Sequence, residues 1–103
     1  MVYYKQSAYY DLNDIFYGLI MWPKHPLAPE HAMHYVDDLE EICNTLDSKK
    51  YHQRTTYDIH KKYGDYVHKY KRTSNTCWYI IYNKDMFDNV FIERIMSNYL
   101  TIN

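Results

Sequence analysis

The chain has 103 residues, enough for one domain with a core of its own and no need of disulfide or metal staples. Apolar residues make up 47% of it and there are only two Gly and three Pro, which argues against disorder. The formal charge of −1 hides an asymmetry: residues 1–48 carry a net −6, residues 49–72 a net +6 and residues 73–103 a net −1, a pattern that bears on partners and not on fold.

Residues 2–5 are aromatic and β-prone, and predict an opening strand. Ser7 is placed to cap the helix that follows. From Ala8 the apolar residues Leu12, Ile15, Phe16, Leu19 and Ile20 trace one helical face, so a helix is expected over 8–21. Asp11 and Asp14 suit its N-terminal half, and Pro23 ends it. Residues 23–29 form a short proline-rich loop, which predicts antiparallel packing of the flanking helices. The second helix is expected over 29–47, with Pro29 in its first turn. Ala32, Tyr35, Val36, Leu39, Ile42, Cys43 and Leu46 form its apolar face, while Asp37, Asp38, Glu40 and Glu41 form a solvated one.

The period then changes. Tyr57, Ile59, Lys61 and Tyr63 alternate with Asp58, His60 and Lys62, the pattern of a strand with a weak apolar face. Gly64–Asp65 marks a turn. Tyr66, His68 and Tyr70 alternate with Val67, Lys69 and Lys71 in a second strand, and residues 73–75 turn again. Residues 77–82 are apolar on both faces and predict a central strand. Residues 83–89 read as a loop and 90–96 as a last strand. Short turns imply antiparallel pairing, and the helices must bury their stripes on the sheet. The expectation is a single α+β domain over 1–103: a small antiparallel sheet with an N-terminal strand and a two-helix hairpin on one face. The other face would carry basic and Tyr side chains in the open.

Residues 49–72 hold eight of the twelve Lys and Arg against two acids, with five interleaved tyrosines. Such a segment can grip phosphate and stack bases. It can equally be the solvated side of ordinary strands. Cys43 and Cys77 are too few for a disulfide framework or a Cys zinc site, and both fall in apolar patterns that suit buried free thiols. His31 and His34 lie three apart on a helix, but no third ligand is placed beside them, so no metal is expected. No stretch reads as a signal peptide or approaches membrane-spanning length. A cytoplasmic chain without cofactor or membrane partner is the simplest expectation.

The opening YYKQSAYYDLNDIFYGL resembles that of the RelE/ParE superfamily, the small toxins of type II toxin–antitoxin operons. Ala8, Asp11, Leu12 and Ile15 stand at matching places, and Ala32, Leu39 and Leu46 are similar to the second helix of the family. The basic strand at 66–72, the strand Trp78–Tyr82 and the closing VFIERIM follow in family order, and Arg94-Ile95-Met96 looks like the Arg-Ile-Leu that ends many ParE-like chains. The resemblance covers about residues 2–99 and agrees with the expected fold.

RelE-like relatives cleave mRNA on the ribosome, by attack of a ribose 2′-OH on the adjacent phosphate. That chemistry needs a base, positive charge on the phosphate oxygens and an acid for the leaving oxygen. If this chain is RelE-like, the resemblance assigns catalysis to Lys69, Lys71, Arg72 and Tyr99. The family often has an Arg on the central strand, where this chain has Trp78 and Tyr79, and a His or Arg after the last strand, where it has Ser97 and Asn98. ParE-like relatives block DNA gyrase and need no nuclease residues. The gaps and the Arg-Ile-Met ending favour that branch. Arg54, His60, Lys61, Lys62, His68 and Arg94 are then the candidates for contact with the target. The implied partners are a cognate antitoxin and either gyrase or the ribosome with its mRNA. A plain interaction module with a basic face is the competing reading. No phosphate loop, nucleophile motif or metal motif supports an unrelated enzyme.

Overall fold

The computed structural model describes residues 1–98. In chain order it contains β1 (Val2–Tyr4), α1 (Gln6–Ile20), α2 (Pro29–Asn44), a single 3₁₀ turn (Leu46–Ser48), β2 (Gln53–Arg54), α3 (Asp58–Lys61), β3 (Tyr66–Lys71), β4 (Cys77–Lys84) and β5 (Val90–Ser97). The sheet order is β1-β5-β4-β3-β2. β1 runs parallel to β5, and every other pair is antiparallel. The expected α+β architecture is therefore observed, with β4 in the centre.

The start of α1 departs from expectation. Lys5 is its N-cap and supplies no side-chain bond. Ser7 does not cap; its Oγ donates instead to the carbonyl of Glu93, 2.7 Å away on β5. Pro29 opens α2 as expected, and the second helix ends at Asn44 before the 3₁₀ turn completes the stretch to Ser48. The Tyr4 hydroxyl donates to Asn44 Oδ1 at 2.6 Å, tying the entry of α1 to the exit of α2. The two helices therefore lie antiparallel.

Ala8, Leu12, Val36, Leu39, Cys43 and Leu46 pack on Trp78, Ile80, Tyr82, Val90, Ile92 and Ile95. Both cysteines are free and buried, and burial pushes the Cys43 thiol up to about 12. Ile92 and Ile95 are three apart, yet both join this core. A bulge makes it possible: Ile81 pairs with Arg94 and Tyr82 with Ile92, so Glu93 is the extra residue.

Residues 57–63 do not form the expected strand. They contain α3, one short helical turn, and the strand beside β3 is instead β2, at Gln53–Arg54, ahead of the stretch where a strand was expected. Ile59 and Tyr63 are four apart, which also satisfies a helix. They pack with Val67, Ile81, Met96 and Tyr79 in a second, smaller core on the far side of the sheet. That face is thus partly covered. Tyr66 and Tyr70 turn the other way and pack under the long helices, which corrects the expectation of an open tyrosine face.

Candidate functional site

β3 divides its side chains by alternation. Tyr66, His68 and Tyr70 pair across from Tyr82, Ile80 and Trp78 on the helix side. Val67, Lys69 and Lys71 pair with Ile81, Tyr79 and Cys77 on the far side. Val67 is buried beneath α3, while Lys69 and Lys71 lie beyond its cover and are exposed.

Lys69 and Tyr79 separate two depressions. The first, about 300 Å³, runs from Lys69 and Lys71 along the turn between β3 and β4 to Asn98. The second, about 130 Å³, lies between β3 and α3 and is lined by Gln53, Thr56, Tyr57 and His60 as well as Lys69 and Tyr79. No carboxylate lines either depression. Among the described residues neither Lys69 nor Lys71 makes an ion pair.

The turn is built to present these groups. Thr73 Oγ1 accepts from the backbone N–H of Asn75 and Thr76, and Arg72 N–H donates to the Thr76 carbonyl. Asn98 Oδ1 accepts from Cys77 N–H and its Nδ2 donates to the Asn75 carbonyl, fastening the end of β5 to the turn.

His60 forms the floor of the smaller depression. It is 1% exposed, and its Nε2 is the one buried side-chain polar atom without a hydrogen-bond partner among the described residues. Its ring sits 4.8 Å from that of Tyr79 and 5.4 Å from that of Tyr57. Burial holds the imidazole below its ordinary pKa. Burial also raises the Tyr79 hydroxyl, with Cys77 adding to the rise and Lys69 opposing it. Near neutral pH the face therefore presents lysine charge beside a neutral phenol and a neutral imidazole.

The remaining candidates are dispersed. Arg72 turns to the helix layer, pairs with Asp38 at 3.0 Å and lies 3.8 Å from the centre of the Tyr35 ring. Arg54 lies over Tyr66, 5.3 Å from the ring centre. His68 receives a hydrogen bond from Lys49 Nζ at 2.9 Å on the helix side, and its pKa is lowered by burial and then by that lysine. Arg94 is held by Asp11 through two bonds, Nε to Oδ2 at 2.7 Å and a terminal nitrogen to Oδ1 at 3.0 Å, with the Tyr63 ring 4.7 Å away. Lys61 at the end of α3 and Lys62, its C-cap, are exposed, and Lys62 lies over Tyr63. Tyr99 falls outside the described residues.

Of the sequence candidates, only Lys69, Lys71 and His60 are brought together. Tyr79 and Tyr57 join them, and neither was singled out as a site residue. Alternation puts Tyr79 on one face of β4 with Cys77, but only the observed register puts it beside Lys69. Tyr57 could not be placed while residues 57–63 were read as a strand. Trp78 points away from this face and donates from its indole to Tyr35 Oη at 2.8 Å, so β4 contributes no cation here.

An apolar groove of about 430 Å³ opens on the helix side of the same turn, between Leu19, Trp22, Leu27, Tyr35 and Trp78. Thr73 and Thr76 border both this groove and the lysine-lined depression. No helix of the described residues is long and apolar enough to cross a membrane. Comparison with family models, with curated proteins and with solved structures finds no match to the chain.

Proposed function

We propose that this chain is the toxin component of a type II toxin–antitoxin, or plasmid stabilisation, system. It acts in the ParE-like manner, arresting growth in the cytoplasm by binding an essential nucleic-acid machine such as DNA gyrase. The observation that carries this reading is the Lys69–Lys71 pair, exposed on the far sheet face without an ion-pair partner among the described residues. Uncompensated charge of one sign on a rigid strand steers and selects an anionic surface.

Binding without cleavage is favoured by what surrounds the pair. In-line cleavage needs an accessible base beside the phosphate. Here neither an imidazole nor a carboxylate lines the depression that holds both lysines. The two arginines of the basic segment, Arg54 and Arg72, are engaged elsewhere. The fold order and the RelE/ParE resemblance of the sequence support the toxin class.

A cognate antitoxin segment of acidic and apolar residues suits the surface. Its acids would meet Lys69 and Lys71, and its apolar side chains the groove across Thr73 and Thr76. The test is expression of the chain alone and together with the reading frame beside its gene. Growth arrest with DNA damage and intact mRNA, relieved by the neighbour, is expected. Codon-phased mRNA cleavage would move the chain to the RelE-like branch. Absence of any growth effect would leave a basic interaction module.

A further inference from the structure

We propose that the depression between α3 and β3 is a binding site for inorganic phosphate or a phosphate monoester, floored by His60 and walled by Lys69 and Tyr79. The site adjoins the face assigned above but does not depend on the chain being a toxin.

The starting point is the unpartnered Nε2 of His60. A buried polar atom left without a partner typically costs about 1–3 kcal/mol, so native domains rarely keep one unless something else satisfies it. This atom belongs to a ring that is almost wholly buried, and the ring lines an open depression. The ring borders that depression, so a group entering there, with a small shift of the Tyr79 ring that lies 4.8 Å from it, is the partner assigned to Nε2. The lining narrows the choice. Lys69 brings a positive charge and no acid opposes it, so the ligand is an anion. Tyr79 keeps its proton and can turn it from Cys77 to a ligand; His60 Nε2 can donate in the tautomer that protonates it; Lys69 donates through its ammonium. Three donors on different walls match the three terminal oxygens of a phosphate monoester. Gln53 and Thr56 at the rim add polar capacity.

Size fits the same class. The depression measures about 130 Å³. One water occupies about 30 Å³ of liquid, so a tetrahedral oxyanion has room and a large ring system does not. A monoester suits it better than a diester. The floor atom is reached only by the tip of an entering group, and a diester has only two terminal oxygens and two chain ends to lead out. Tyr57 stands exposed at the mouth, where its ring can stack on the organic part of a monoester.

The experiment follows the imidazole nitrogens of the intact chain by ¹⁵N-edited NMR while inorganic phosphate is added, then AMP, then the dinucleoside phosphate ApA, with chloride at matched ionic strength as reference. We expect a saturable shift of the His60 signal with phosphate and with AMP, no saturable shift with chloride, and affinity for ApA at least about tenfold weaker. Lys69→Met and Tyr79→Phe should each weaken phosphate binding by about tenfold or more, since each removes one hydrogen bond to a charged ligand. Tyr79→Phe deletes a single oxygen atom and so guards against an effect of misfolding. Lys61→Met on the outer side of α3 should change nothing. A linear, unsaturated response, equal response to chloride, equal affinity for ApA, or undiminished binding in both Lys69→Met and Tyr79→Phe would overturn the proposal.

Discussion

Asp11 shows how one side chain joins distant parts of the chain. Its carboxylate accepts from two nitrogens of Arg94 and from the Ile95 backbone N–H at 2.9 Å. Its place in the sequence suggests a helix-dipole role, but it lies beyond the first turn of α1 and anchors that helix to β5. Asp11→Ala would strand a partly buried guanidinium and one backbone donor. A loss of about 2–3 kcal/mol is expected, against less than about 0.5 kcal/mol for Asp14→Ala on the exposed side. Urea unfolding measures both, and equal effects would contradict the role given to Asp11. His52, His60 and His68 add a pH dependence, since burial lowers all three, with nearby lysines adding to the effect at His52 and His68. A histidine whose folded pKa is depressed takes up its proton more readily when unfolded. Its contribution to stability is therefore complete above the ordinary value of about 6.5 and is lost as pH falls toward the folded pKa. The urea midpoint should drop between about pH 7.5 and about pH 5.5, a window above the titration of ordinary carboxylates. A midpoint that rises on acidification would contradict it.

At the level of elements, α3 is where the sequence misled. Over seven residues, a period of two and a period near four cannot be told apart when only Tyr57, Ile59 and Tyr63 are large and apolar. The long helices, β4 and β5 were legible because their patterns persist over several turns or meet on both faces. The bulge at Glu93 was not legible, since it depends on how β5 meets β4 and not on β5 alone. The site suffered from both failures: without α3 in place, nothing put His60 under Tyr79. Two glycines test the packing around these elements in opposite directions. At Gly64 a Cβ would lie 2.9 Å from Ile81 Cγ2 and 3.0 Å from the Tyr82 carbonyl oxygen. The oxygen is sheet backbone and cannot yield easily, so Gly64→Ala should cost about 1–3 kcal/mol. At Gly18, within α1, a Cβ would meet nothing within 4 Å. Gly18→Ala should therefore stabilise by about 0.5–1 kcal/mol through helix propensity. Thermal or urea unfolding of the pair gives both signs, and a stabilising Gly64→Ala would mean that the turn before β3 is looser than described.

For the whole molecule, folding redistributes the charge that the sequence concentrates. The +6 of residues 49–72 does not survive as one patch. Lys49 goes to His68, Arg54 to Tyr66 and Arg72 to Asp38, all on the helix side. Lys61 and Lys62 stay exposed at the end of α3, and Lys69 and Lys71 are the lysines that β3 itself leaves on the far face. Of the acids of α2, Glu30, Asp37, Asp38 and Glu41 are exposed, and Asp38 pairs with Arg72. The central claim is that the Lys69–Lys71 pair, and not the basic segment as a whole, engages the target. The most direct measurement is growth of cells that express the chain alone, compared with cells that express Lys69→Glu/Lys71→Glu or Lys61→Glu/Lys62→Glu at equal protein levels. Loss of growth arrest with the first double variant and its retention with the second is the predicted result. Arrest that persists after both lysines of β3 are reversed would contradict the account.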